Sequence, residues 1–134
     1  MTPLGTGLIG CGKIAEIHAG ALAALPESRF LAVCDVDERR AEDFAARYHV
    51  PHAYADLQAM LRTPGLEAVL VCTPHPFHAP CVIAAAEAGL HVMCEKPISV
   101  DLTAADAMIA ATRRAGVTFG VVFQRRFWPA AQPG

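Results

Sequence analysis

Three small residues near the start of the chain have the spacing of a phosphate cradle. Gly10-Cys11-Gly12-Lys13-Ile14-Ala15 reads G-x-G-x-x-A. It lies between a short apolar run, Leu8-Ile9, and a helix-period pattern, Ile14, Ile17, Ala21, Leu25. That is the strand-to-helix setting in which such a turn holds a dinucleotide pyrophosphate. Gly10 allows backbone angles closed to residues with a Cβ. At Gly12 the missing side chain lets phosphate reach the backbone, and Ala15 lets the helix sit close on its strand. The free N–H groups at the helix start favour negative charge. Asp35 ends the next apolar run, Phe30 to Cys34. An acidic residue there accepts hydrogen bonds from ribose hydroxyls. The other reading of Asp35 is a cap on the helix that begins near Glu38, a role for which Asp37 is better placed.

The elements that must position these residues follow from the apolar pattern. The 134 residues, 54% hydrophobic with a net charge of −2, allow one domain with a substantial core. Helix-period segments at about 14–25, 38–48, 57–61 and 78–88, and one opened by Ser99 or Asp101 and stopped by Gly116, alternate with short apolar runs. Ala41, Phe44, Ala45 and Tyr48 form the inner face of the second helix, and Ala105, Met108, Ile109 and Thr112 that of the last. Ala68 to Cys72 is apolar throughout, as in a strand buried on both faces. The last run is Thr118 to Phe123. The expected fold is α/β: a Rossmann-type, doubly wound parallel sheet of about six strands in the order 3-2-1-4-5-6, in a single domain. In such sheets ligands sit beyond the carboxyl ends of the strands. Those ends carry Gly10–Gly12, Asp35, Thr73–His78, Glu95-Lys96-Pro97 and Gln124–Arg126, so the unusual polar residues converge on one edge.

Taken together, G-x-G-x-x-A, Cys34-Asp35-Val36-Asp37, Thr73-Pro74-x-x-Phe77-His78 and Glu95-Lys96-Pro97 resemble the Gfo/Idh/MocA family, the relatives of glucose–fructose oxidoreductase and inositol dehydrogenase. The resemblance covers nearly the whole chain. It implies an NAD(P)-dependent oxidoreductase of sugars, cyclitols and related polyols. Residues 1–123 would be its nucleotide-binding domain, and 124–134 the start of the crossing to a substrate domain that this sequence does not include. By position, it implies that Gly10, Gly12 and the backbone at Lys13 and Ile14 hold the pyrophosphate. Asp35 would take the adenosine ribose. Thr73, Pro74 and His78 would line the cofactor path, and Glu95 would contact the nicotinamide ribose. Lys96 would be the catalytic residue, reaching the hydroxyl that is oxidised, with Pro97 fixing its backbone. Arg126 would stand near the cofactor. The general acid/base histidine of many members belongs to the second domain.

Several of these residues have plainer readings. Lys96, one of two lysines in the chain, could stabilise a developing alkoxide or simply pair with Glu95 in solvent. His75 and His78 share helical spacing, but no third ligand accompanies them, so no metal is expected. Cys11, Cys34, Cys72, Cys81 and Cys94 form no CxxC pair and read as reduced packing residues of a cytoplasmic protein. Arg125-Arg126 is too small a basic cluster to indicate nucleic acid. No apolar run approaches the roughly 20 residues of a membrane span, and no basic segment precedes Leu4–Cys11. Asp35 would repel a 2′-phosphate, so NAD is expected over NADP, with Arg39 and Arg40 acting against that preference. The expected function is hydride transfer between nicotinamide and a polyol or sugar, complete once a second domain is supplied. The alternative is a truncated, non-catalytic NAD-binding module or sensor. An apolar surface from Val121, Val122, Phe127 and Trp128 would favour a homo-oligomer.

Overall fold

A computed structural model of the chain describes residues 3–73, 78–95 and 102–122. The elements alternate: β1 (Leu4–Ile9), α1 (Lys13–Ala24), β2 (Ser28–Cys34), α2 (Glu38–Tyr48), β3 (His52–Tyr54), α3 (Leu57–Leu61), β4 (Ala68–Val71), α4 (His78–Glu87), β5 (His91–Glu95), α5 (Leu102–Ala115) and β6 (Phe119–Val122). They build one six-stranded sheet in the order β3-β2-β1-β4-β5-β6, and every strand pairing is parallel. This is the expected doubly wound topology. Its central strand is β1, which joins β2 through Ile9 opposite Cys34 and β4 through Ile9 opposite Val71.

The sheet divides the core in two, and the alternation of side chains along each strand decides which residue goes where. Leu8, Val33 and Leu70 face α1 and α2, where they meet Ala15, Ala19, Phe44 and Ala45. Ile9, Cys34, Val69, Val71, Val92 and Cys94 join the other cluster, with Met60, Leu61, Cys81, Val82, Ala85 and Met108 of the remaining helices. β4 is therefore buried on both faces, as its continuous apolar run requires.

The helix caps follow the residue types. Asp37 caps α2, its carboxylate accepting from the N–H groups of Arg39 and Arg40 at 3.1 and 3.2 Å. Asp56 caps α3 by accepting from the N–H of Gln58 at 3.2 Å. Such caps are each worth about 1 kcal/mol.

One expected helix face, that of α5, is corrected, while the expected packing residue of α1, Ala15, is buried. On α1 the residues that reach the sheet are Ala15 and Ala19, both fully buried, while Ile14, Ile17 and Leu25 are roughly half exposed. α1 is apolar around much of its circumference, so spacing alone does not select its inner face. The buried positions are taken by Ala15 and Ala19, which pack with Leu8, Val33 and Leu70. On α5 the buried set is Met108, Ala111 and Thr112, and Ile109 is exposed. The Thr112 hydroxyl donates to the Met108 carbonyl at 3.0 Å, which satisfies it inside the core. The side chains of Val121 and Val122, and residues Phe127 and Trp128, lie outside the described structure.

Ala15 is fully buried. Replacing it by leucine should force α1 off the sheet and cost about 1–3 kcal/mol, read as a lowered urea midpoint. Replacing the half-exposed Ile17 by alanine should leave that midpoint nearly unchanged.

Candidate functional site

The carboxyl ends of the parallel strands share one edge, and the glycine turn lies at its centre. Gly10 leaves β1 with φ +94°. A Cβ there would stand 2.9 Å from the Cys72 carbonyl carbon. Gly10 is thus demanded twice, by its left-handed backbone and by the closeness of the chain leaving β4. Its N–H donates to the Cys34 carbonyl at 2.7 Å, and the Cys72 N–H donates to the Ile9 carbonyl at 2.7 Å. The turn is held from both sides of β1.

Gly12 has the opposite surroundings. It is the N-cap of α1, with φ −84° and ψ −168°, and no side chain caps the helix. A Cβ at Gly12 would meet nothing within 4 Å. The fold itself does not need glycine here. The space above the turn is open, and the first N–H groups of α1 lack the side-chain acceptor that α2 and α3 possess. This is a cradle that suits a pyrophosphate.

Asp35 follows β2 and is buried, with 9% of its surface exposed. One carboxylate oxygen, Oδ2, accepts from the Cys11 N–H at 2.9 Å. The other, Oδ1, accepts from the Asp37 N–H at 2.9 Å. Arg40 Nη1 lies 3.8 Å from Oδ2. Asp35 therefore does not cap α2; it joins the end of β2 to the glycine turn. Each carboxylate oxygen keeps a second lone pair for a ligand. The pairing of Cys11 N–H with Asp35 is a feature the spacing of the motif did not disclose.

Thr73, just past β4, carries a buried hydroxyl with no hydrogen-bond partner among the described residues. An orphaned hydroxyl costs free energy unless something reaches it, and this one sits on the edge where ligands of such sheets bind. Burial pushes the Cys81 thiol on α4 up from its ordinary value. His78 begins α4 and Glu95 ends β5, so both backbones lie on the same edge. Lys13 opens α1, and Ile14 follows it with its side chain half exposed. Pro74, Lys96 and Arg126 lie outside the described residues, as do His75 and Pro97.

An open cleft of about 290 Å³ adjoins Asp35 and is lined by Cys11, Glu16, Asp37, Arg39, Arg40, Asp43, Phe44 and Arg47. Among the described residues no group of three or more His, Cys, Asp or Glu side chains could hold a metal, and no helix is long and apolar enough to cross a membrane.

Residues 4–123 match the Gfo/Idh/MocA oxidoreductase family, described as an NAD-binding Rossmann fold. The chain belongs to this family. Among curated Gfo/Idh/MocA relatives, the myo-inositol 2-dehydrogenase of Thermotoga maritima is 40% identical over 121 residues, which are 90% of this chain and 36% of the relative. Among solved structures, the WlbA dehydrogenase of Bordetella pertussis in complex with NADH and UDP-GlcNAcA superposes with a TM-score of 0.88 at 29% identity, covering 97% of this chain and 40% of the other. KijD10, a 3-ketoreductase of Actinomadura kijaniata in complex with TDP-benzene and NADP, gives a TM-score of 0.89 at 30% identity, covering 96% and 41%. The chain spans a little over a third of the length of these relatives.

All five cysteines are free, and Cys11, Cys34, Cys81 and Cys94 are buried. Burial, with the negative charge of Asp35 adding to it, pushes the Cys11 and Cys34 thiols up to about 12 from 9.0. A thiol raised on folding favours the native state below its unfolded value, and that contribution is lost as pH climbs toward the folded one. Stability should therefore be steady up to about pH 9 and fall between about pH 9 and 12. Urea unfolding across that range checks this, and a Cys11→Ala, Cys34→Ala variant should show a shallower fall. Native protein at pH 7.5, in the same experiment, should resist iodoacetamide at both positions.

Proposed function

We propose that this chain is the nucleotide-binding part of an NAD(H)-dependent oxidoreductase that moves a hydride between nicotinamide and a carbon of a sugar, cyclitol or related polyol. The observation that carries the reading is the pairing of the buried Asp35 with the glycine turn beside an unfilled cradle at Gly12. Family membership and the relatives' dehydrogenase activity on an inositol support the substrate class. We assign residues 1–123 to the nucleotide-binding domain and 124–134 to the start of the crossing to a substrate domain. The free cysteines suit a reducing compartment, and we assign the protein to the cytoplasm.

In this proposal the backbone at Gly10, Gly12, Lys13 and Ile14 donates to the pyrophosphate, and the α1 dipole favours its charge. Asp35 accepts from the adenosine ribose hydroxyls through its free lone pairs. Thr73, Pro74 and His78 line the path toward the nicotinamide, where the Thr73 hydroxyl gains the partner it lacks. Glu95 takes the nicotinamide ribose, and Arg126 stands beside the cofactor. The bound nicotinamide supplies the hydride acceptor or donor. Lys96 is assigned the catalytic contact: its ammonium hydrogen-bonds the substrate oxygen and stabilises the negative charge that grows there as the hydride leaves the carbon. The substrate domain excludes water and supplies the general acid/base, a contribution typically worth 10²–10⁴-fold in rate.

Gly12 separates ligand binding from folding. Valine is compatible with the backbone angles observed at Gly12, so Gly12→Val should keep stability within about 1 kcal/mol of the parent. Its side chain fills the cradle, so NADH affinity should drop by about tenfold or more. Fluorescence titration with NADH beside urea unfolding reads both. Unchanged NADH affinity in the folded variant would remove the pyrophosphate from this turn.

A further inference from the structure

The two faces of the sheet are covered unequally. Helices α3, α4 and α5 all pack on one face, where Met60, Val82 and Met108 join Val71 and Val92 in a single cluster. Only α1 and α2 pack on the other, and their cluster reaches across β2 and β1 to Leu70 of β4. One register row crosses this second face: Val33 opposite Leu8, Leu8 opposite Leu70, Leu70 opposite Met93, and Met93 opposite Gly120. Met93 belongs to it because Val92 and Cys94, its neighbours along β5, point into the opposite cluster. Val33 and Leu8 are fully buried, Leu70 is 8% exposed and Met93 is 40% exposed. Cover therefore runs out between β4 and β5. Parallel sheets are built with both faces covered, and among the described residues the half-face over β5 and β6 lacks its layer.

The free flank of α1 walls this area. Ala15 is buried against the sheet. Glu16, about 100° further around the helix, faces α2, where Arg47 Nη1 stands 3.5 Å from its Oε1. Ile14 is turned as far the other way, toward β4, and Ala21 and Leu25 follow on the same flank. All three are exposed.

We propose that the chain's own residues 123–134 lie across this half-face, with Phe127 and Trp128 seated on Met93 and against the free flank of α1. Position, reach and chemistry select this occupant. β6 is the edge strand of the bare half, so the segment starts beside the area to be covered. Met93 pairs with Gly120, close to the end of β6 at Val122. The residues from Val122 to Trp128 can span up to about 20 Å, whereas the way back to Met93 is about 7 Å along the strand and about 5 Å across. The turn falls at Gln124 to Arg126, on the carboxyl edge where Arg126 is assigned to the cofactor. The floor suits an aromatic ring. Gly120 has no side chain, and the Met93 sulfur lies beside it, 3.1 Å from where a Cβ would stand. Thioether sulfur packs favourably against ring edges.

The chain has one tryptophan, so fluorescence reads Trp128 directly. In the folded parent its emission should lie blue of the urea-unfolded chain and resist acrylamide, at every protein concentration. Met93→Glu and Ala21→Glu, each shown to be folded by circular dichroism, should red-shift the emission and raise quenching toward the unfolded value. Ile109→Glu, at an exposed site on α5, should change neither. The reciprocal measurement is oxidation of Met93 by dilute peroxide, followed by peptide mapping. A Phe127→Ser, Trp128→Ser variant should oxidise at Met93 severalfold faster than the parent. Red, readily quenched emission from the folded parent overturns the inference, as does emission indifferent to both charged variants, or Met93 oxidation unchanged in the double variant. Blue emission that is lost on dilution gives the face to a second copy of the chain and overturns it equally. None of these measurements involves NADH, so the cofactor proposal stands or falls apart from them.

Discussion

The hydrogen bond from the Cys11 N–H to Asp35 Oδ2 is the joint on which the site depends. It links the turn after β1 to the end of β2, two segments that the parallel sheet already sets side by side. The bond is charge-assisted and buried, so it is stronger than a neutral one in water. Gly10 completes the joint from the other side, since its N–H meets the Cys34 carbonyl and its bare Cα touches the chain leaving β4. The glycine turn is thus held by its own backbone contacts on both sides. Preorganisation of this kind lowers the ordering cost of binding.

The same residue carries two duties, and they do not conflict. A carboxylate offers four lone-pair positions, and the fold uses two of them through Cys11 and Asp37. The thiols of Cys11 and Cys34 bear the cost of that nearby charge and stay protonated. Cysteine is well suited to the position, being small and apolar enough to fill the space beneath the turn.

Much of this architecture was legible in the residues. The alternation of apolar runs with helical spacing, and the strand-to-helix setting of Gly10, Gly12 and Ala15, lead to the observed sheet order. Asp37 could be placed as a cap because its side chain has a fixed reach. On α1 Ala15 was legible as the residue that packs on the strand, from its place in the glycine motif, and it is fully buried with Ala19, while Ile14 and Ile17 fit the helical period but stay half exposed. Ile109 was misplaced for a related reason, as Ala111 occupies the buried position. At the site, residue types pointed to Asp35 and the glycines, but the backbone bond to Cys11 and the orphaned Thr73 hydroxyl depend on distances between segments remote in sequence. Pro74, Lys96 and Arg126 fall outside the described residues, so their places rest on sequence alone.

The position of β1 at the middle of the sheet bears on how the chain is made. β1 is made before the other five strands of this sheet, and its second neighbour is β4, with Ile9 opposite Val71. At ribosomal speeds of 5–20 residues per second, roughly 3–12 s separate the two strands. During that interval one edge of β1 can pair with β2 while the other has no partner from its own chain. Pairing of such distant segments also slows folding, because loop closure must be met before the contacts reward it. A nascent chain of this design presents a temporary apolar strand edge, a feature that chaperones are suited to shield.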